Sequence, residues 1–119
     1  MKGTKLDVVR TYFQAVDEGD FETVAEQFTE DCRYVHDARD LDIRGRDGVY
    51  EFFTQRGERD SVHRIQQATA LGDDAVGLIC RYEPGPDADD AEHDAQYLSF
   101  ATVEDGQIAY YATGYLLDV

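Results

Sequence analysis

The chain has 119 residues, a length that suits one compact domain and leaves no room for two independent cores. Apolar residues make up 42 % of it, with eight Tyr and six Phe, which excludes an intrinsically disordered acidic polymer. The 26 acidic and 11 basic residues give a net charge of −15. This charge repels nucleic-acid phosphates and anionic membrane surfaces, so we expect neither as a partner. We expect residues 1–119 to form a single domain.

The first 30 residues predict two helices, because apolar side chains recur there at helical spacing. Gly19 can end the first helix, and Asp20 can cap the second through its carboxylate. The apolar positions are Leu6, Val9, Phe13 and Val16 in the first helix and Phe21, Val24, Ala25 and Phe28 in the second.

A short strand and a third helix are predicted next. The strand covers Cys32 to His36, and a polar loop follows from Asp37 to Arg46. The third helix is expected to be capped by Asp47 and to place three apolar residues inward: Val49, Phe52 and Phe53.

The second half changes to the two-residue period of strands. Gly72-Asp73-Asp74 and Glu104-Asp105-Gly106 are predicted hairpin turns. A long acidic connection from Pro84 to His93 is expected to be a solvated hairpin tip, with His93 in water. The four predicted strands are Val62 to Leu71, Ala75 to Glu83, Gln96 to Val103 and Ile108 to Leu117. Helices followed by an antiparallel meander indicate an α+β fold. Its predicted core is Leu6, Val9, Phe13, Val16, Val24, Phe28, Val49, Phe53, Val76, Leu78 and Phe100.

The charge is carried almost without lysine, since Lys2 and Lys5 are the only two. An acidic, lysine-poor surface is typical of proteins from extreme halophiles, although an ordinary acidic protein is the alternative. If the charge is a halophilic adaptation, screening by concentrated KCl should raise the thermal midpoint. No stretch reaches the length of a membrane span and the N-terminus lacks a signal-peptide core, so we expect a cytoplasmic protein.

Cys32 and Cys80 are the only cysteines, and each lies in an apolar, strand-like run. Two buried reduced thiols are therefore more plausible than a disulfide or a nucleophile. No C-x-x-C and no metal-type Cys/His spacing occurs, so we expect no metal site.

The order of the predicted elements and two local sequence motifs are similar to those of one protein family. The segment Val8 to Asp20, with its Gly19-Asp20 pair, and the restart Gly45 to Val49 before Phe53 resemble SnoaL-like polyketide cyclases and ketosteroid isomerases. These belong to the NTF2-like superfamily. The resemblance implies a cystatin-like cone, in which a strongly curved, mainly antiparallel sheet wraps around three N-terminal helices and leaves a central pocket. It also implies a homodimer through the outer face of the sheet.

The resemblance implies functional roles for three residues of this chain. Tyr12 stands where ketosteroid isomerases have a tyrosine that donates to the enolate. His36 stands where they have an aspartate base, at the end of the first strand. Ser99 falls near their second oxyanion donor. One of the three isomerase groups is thus retained and the base has changed type.

Strand alternation gives a second route to the same residues. Cys32, Tyr34 and His36 share one face of their strand, and Arg33, on the other face, is costly to bury. An imidazole in an apolar pocket stays largely neutral at pH 7 and can accept a proton. Tyr12 or Tyr34 could then donate to the oxyanion that forms. The alternative is a structural His36 that bonds a loop carbonyl.

Further pocket candidates come from the apolar stripe, the strands and the loop near His36: Phe13, Cys32, Asp40, Phe53, His63, Tyr82, Tyr97 and Ser99. His63 could face the pocket, but a structural histidine is the more common case. The tyrosines could stack on a flat ligand or simply pack on a half-buried sheet.

Two functions remain open from the sequence. One is a cofactor-free lyase, isomerase or cyclase that uses acid–base chemistry on a small apolar or aromatic carbonyl compound. The other is a non-catalytic module that binds a small apolar ligand or a protein partner.

Overall fold

The computed structural model describes residues 5–36, 40–57, 61–85 and 95–115, apart from the side chains of Ser61 and Tyr115. Within these residues the chain forms three helices and six strands. The helices are α1 (Lys5–Glu18), α2 (Phe21–Glu26) and α3 (Arg46–Arg56). The strands are β1 (Phe28–His36), β2 (Leu41–Arg44), β3 (Ser61–Ala70), β4 (Ala75–Pro84), β5 (Ala95–Glu104) and β6 (Gln107–Tyr115).

The strands form one mixed sheet in the order β2-β1-β6-β5-β4-β3. Among the described strands, only β1 and β6 run parallel, and the other neighbours are antiparallel. Irregular register interrupts three of the strand pairs, β1–β6, β3–β4 and β5–β6. Such bulges bend strands, which suits a sheet that curves around the helices. The predicted α+β cone architecture is confirmed.

Helix α1 lies along the edge strand β3 and is tied to the sheet at both ends. Near its start, Lys5 Nζ donates to the carbonyl oxygens of Gly72 and Asp73 at 3.2 and 2.9 Å, in the β3–β4 turn. Near its end, the Asp17 carboxylate accepts from the backbone N–H of His63 at the start of β3. This fixes which face of α1 meets the sheet.

The predicted turns and caps around the helices are largely confirmed. Gly19, with φ of 73°, ends α1, and the Asp20 carboxylate caps α2 by accepting from the Thr23 N–H. Asp105 and Gly106 both have positive φ, as the hairpin prediction requires. The prediction that Asp47 caps α3 is wrong, because α3 begins at Arg46, after Gly45, and Asp47 makes no side-chain cap there.

The core lies between the helices and the inner face of the sheet, and nine of the predicted core residues are buried there. Leu6 is only partly buried against this core. Phe100 was predicted inward and this is wrong, because its strand neighbours Ser99 and Ala101 take the inner face. Its ring instead lies beside Tyr110 on the outer face, with the ring centroids 6.1 Å apart.

One element was missed in the predicted polar loop. Residues Leu41–Arg44 form β2, an edge strand that pairs antiparallel with β1. Its exposed face carries Asp42, which pairs with Arg33 across the ladder at 2.8 Å. This pairing also confirms that Arg33 faces outward.

Some predicted features lie outside the described residues. These are the start of the polar loop, most of the acidic connection with His93, and the end of the last strand at Leu117. Among the helices that are described, none is long and apolar enough to cross a membrane.

Candidate functional site

Three tyrosines meet in the interior between α1 and the centre of the sheet. Tyr12 comes from the buried stripe of α1, and Tyr34 and Tyr111 are register partners on the parallel strands β1 and β6. The rings of Tyr34 and Tyr111 stack with centroids 5.3 Å apart, and Tyr12 meets Tyr111 edge-on at 5.1 Å. All three side chains are at most 4 % exposed.

The hydroxyl of Tyr12 donates to the hydroxyl of Tyr34 over 3.3 Å. Burial raises the pKa of Tyr12 and of Tyr111 well above the usual value, and the neighbouring phenols reinforce the rise. These groups therefore remain neutral hydrogen-bond donors across the physiological pH range. A hydroxyl that accepts a hydrogen bond becomes a stronger donor, so Tyr12 polarises Tyr34.

A second polar chain begins at Tyr111. Its hydroxyl lies 2.8 Å from Ser99 Oγ, which in turn donates to Thr113 Oγ1 at 3.2 Å. Ser99, proposed from the resemblance as a pocket residue, is thus buried on the inner face. The chain leads toward the end of β1, because Thr113 is the register partner of His36.

His36 is the last residue of β1 and is half-buried. Cys32 and Tyr34, which share its strand face, are buried, whereas Arg33 is exposed. The predicted inward face of β1 is therefore confirmed. The alternation places His36 beyond Tyr34 on this face, at the end of the strand.

His63 makes contacts that the sequence did not predict. Its Nδ1 lies 2.5 Å from Asp17 Oδ1, and its backbone N–H donates to Asp17 Oδ2 at 2.9 Å. Phe13 stacks on the imidazole with centroids 5.7 Å apart, and Tyr82 and Tyr97 approach it edge-on. Asp17 is the functional candidate that sequence reasoning missed, since 46 residues separate the partners.

The other predicted pocket residues divide into interior and surface positions. Phe13, Phe53 and Tyr97 belong to the buried core, and Tyr82 packs against it. Asp40 is exposed and adopts a positive φ before β2. The Tyr97 hydroxyl is buried and meets no oxygen or nitrogen partner among the described residues, and burial raises its pKa.

Both cysteines are free and buried, as predicted. Burial raises the pKa of the Cys32 thiol and raises that of Cys80 to about 11. Neither is poised as a thiolate nucleophile at neutral pH. Within the described ranges, no three His, Cys, Asp or Glu side chains group as a metal site would require.

Comparison with known proteins identifies the family. The model of the SnoaL-like domain matches residues 9–111. The chain belongs to the SnoaL-like family. Among curated protein sequences, none matches it.

Solved structures share the fold of this SnoaL-like chain at low identity. A Catenulispora acidiphila protein with a ketosteroid isomerase-like fold, solved with trimethylamine, matches with a TM-score of 0.80 and 16 % identity, over 92 % of this chain and 85 % of its own. An NTF2-like protein of unknown function from Cytophaga hutchinsonii gives 0.76 and 12 %, over 98 % and 93 %. An LEH-like epoxide hydrolase of M. tuberculosis gives 0.75 and 19 %, over 94 % and 82 %.

Proposed function

We propose that this SnoaL-like protein is a cofactor-free acid–base enzyme, an isomerase, lyase or cyclase acting on a small apolar or aromatic carbonyl compound. The observation that carries the proposal is the buried hydroxyl pair of Tyr12 and Tyr34 on the inner face that ends in His36. A base and a neutral donor on one apolar face are the minimum needed to remove a proton beside a carbonyl.

In the proposed reaction, His36 accepts a proton from the carbon next to the carbonyl. The electron pair of the broken C–H bond moves to the carbonyl oxygen, and Tyr34 donates a hydrogen bond to that oxyanion. Tyr12 makes Tyr34 a stronger donor, because the Tyr12 hydroxyl donates a hydrogen bond to the Tyr34 oxygen. Return of the proton to a different carbon completes an isomerisation, and loss of a leaving group completes a lyase reaction.

The direct test is proton exchange. A panel of enolisable aromatic and aliphatic ketones is incubated with the protein in deuterated buffer, and the loss of the proton signal beside the carbonyl is followed by NMR. We expect the protein to accelerate exchange for at least one apolar ketone above the buffer rate. A panel that exchanges only at the buffer rate contradicts the enzyme proposal and favours a binding module.

The outer face of the sheet carries a surface suited to association, which is compatible with an enzyme and with a non-catalytic module alike. A groove of about 520 Å³ lies there, and its apolar lining comes from β4, β5 and β6 together with Val35 and Leu71, while β3 contributes the polar Gln67 and Thr69. Leu98 and Leu71 in this groove are 46 % and 47 % exposed. Such a surface suits protein association, and we propose that it joins two copies of this chain into a homodimer.

Replacing Leu98 by Asp should convert this dimer into a monomer, because each copy would bury an unpaired carboxylate in the apolar interface. Light scattering in molar KCl measures the mass, and the far-UV spectrum checks that the variant is folded. Gln96→Asp, on the same strand face and outside the groove lining, is the matched control and should leave the mass unchanged. A wild-type protein with the mass of one chain would contradict the proposal.

A further inference from the structure

The two edge strands of the sheet differ in how far they are protected from pairing with another chain. At one edge, β2 has only four residues and carries the charged side chains of Asp42 and Arg44. Short length and charge are common devices by which proteins prevent an edge strand from pairing. At the other edge, β3 has ten residues, and residues 66–70 carry no charge. The second half of β3 therefore lacks both devices.

Helix α1 covers the first half of β3 but not the second. His63 and Ile65 are half-buried, and the Asp17 carboxylate accepts from the backbone N–H of His63 at 2.9 Å. Residues 66–70 are all exposed, although successive side chains of a strand point to opposite faces. These five residues thus form an open edge.

The backbone of the open edge turns two residues away from β4. The N–H of Leu71 donates to the Ala75 oxygen at 2.9 Å, at the end of the antiparallel ladder between β3 and β4. Since backbone groups point alternately to the two sides of a strand, Ala68 and Ala70 face outward while Thr69 faces β4. Among the described residues, no group bonds these outward N–H and C=O groups. They are available to another strand.

A second copy of the chain fits this edge in one antiparallel register, about a twofold axis that passes beside Thr69. Ala68 of each copy then lies opposite Ala70 of the other, and each of these pairs exchanges two backbone hydrogen bonds. The small side chains leave room for the approach, and Thr69 lies opposite its own copy, a favourable cross-strand pair. The register shift between Ile65 and Gln67 bends the strand and ends the ladder there.

The charges beside the open edge also suit a second copy. Continued past the ladder, the same register brings the acidic turn, residues 72–74, of one copy beside Ile65 and Arg64 of the other. Arg64 is exposed although it pairs with Glu83 at 2.6 Å, and Arg10 of α1 lines the same side of β3. Arg10 forms no ion pair within the described residues. Carboxylates thus meet cations at both ends of the ladder, on a chain of net charge −15 whose other surfaces would mostly repel a second copy.

We propose that the protein pairs with a second copy of itself through the open edge of β3, which joins two six-stranded sheets into one continuous sheet. Backbone hydrogen bonds and small side chains make this contact, so it is weak in dilute solution and fills as the protein concentration rises. It is distinct from the homodimer proposed through the outer face, because it uses the outward backbone of Ala68 and Ala70, which do not line the groove.

Amide hydrogen exchange tests the contact residue by residue. In molar KCl, which screens the repulsion between the acidic chains, exchange of the Ala68 and Ala70 N–H groups should slow by at least about threefold between micromolar and millimolar protein. The Thr69 N–H is the internal reference, since it faces β4 and should exchange slowly at every concentration. NMR of the wild-type protein measures all three rates.

Proline at position 70 gives a matched pair of variants. Ala70→Pro removes an outward N–H while the ladder with β4 keeps its bonds, and edge strands tolerate proline at such positions. The concentration dependence of Ala68 exchange should disappear in this variant. Ala70→Val keeps the N–H and should retain the concentration dependence. The far-UV spectrum checks that both variants are folded.

The Leu98→Asp chain separates the edge contact from the outer-face homodimer. In molar KCl its mass by sedimentation equilibrium should be that of one chain in dilute solution and approach that of two chains at millimolar concentration. Ala70→Pro added to Leu98→Asp should hold the mass at one chain throughout. This measurement stands whether or not the wild-type protein dimerises through its outer face.

Three results would overturn the inference. One is exchange of the Ala68 and Ala70 N–H groups that does not depend on protein concentration. Another is concentration-dependent protection that persists unchanged in folded Ala70→Pro, which would assign it to a different contact. The third is a mass of Leu98→Asp that grows past two chains, because twofold pairing uses up the open edge of each copy, and unlimited growth would mean aggregation instead.

Discussion

Replacing His36 by alanine should lower the rate of neutral-ketone proton exchange by about 10²–10⁴-fold, because it removes the general base proposed for the inner site. His36 ends β1 on the same face as the buried Tyr34, and its imidazole is only half-buried. Loss of the ring at this position leaves the buried core untouched, so the fold should persist. Exchange rates by NMR, with the far-UV spectrum as a check on folding, measure the effect.

Tyr12→Phe is the matched control for this experiment. It removes the hydroxyl that donates to Tyr34 but keeps the ring that packs on Tyr111. The rate should fall less than in His36→Ala, and ligand binding should be nearly intact, because the hydroxyl is needed chiefly for the oxyanion of the transition state. Exchange that survives His36→Ala would place the base elsewhere, with Asp40 or His63 as the next candidates.

Replacing Phe28 by alanine should destabilise the protein by about 3–5 kcal/mol, a large part of the roughly 5–15 kcal/mol typical of a domain. The Phe28 side chain is fully buried and meets Tyr12 and Tyr34 edge-on, with centroids 5.3 and 6.2 Å away. Its removal leaves a cavity beneath the tyrosine pair. Urea unfolding in constant, high KCl measures the free energy.

Phe21→Ala is the control for this substitution. Phe21 is only partly buried and stacks on Phe53 at the margin of the core, with centroids 6.3 Å apart. The same chemical deletion should therefore cost clearly less than at Phe28. Equal losses of unfolding free energy at the two positions would mean that burial of Phe28 beneath the tyrosines adds no stability beyond that of a partly buried ring. A large loss of ketone exchange in folded Phe28→Ala would further link this packing to the proposed donor pair.

Much of the fold could be predicted from local patterns. The apolar spacing in α1 and α2, the Gly19-Asp20 boundary and the Asp105-Gly106 turn each depend on residues close together in the chain. Strand β2 was not predicted, because a strand of four residues shows too little alternation to be distinguished from a polar loop. Phe100 was misplaced because an apolar residue on a strand can face either side of a sheet whose two faces are both partly apolar.

The sequence by itself determined the α+β class and the inner face of β1, and it predicts roles for Tyr12, Tyr34 and His36 that stay predictions. Alternation and helical periodicity are local properties, and they assign faces without knowledge of neighbours. Only the tertiary structure brought the Tyr12 and Tyr34 hydroxyls together and paired Asp17 with His63, residues that are 46 positions apart. Such pairs depend on how α1 crosses the curved sheet and on the register of its strands. Both are set by the packing of the whole core, which no single segment encodes.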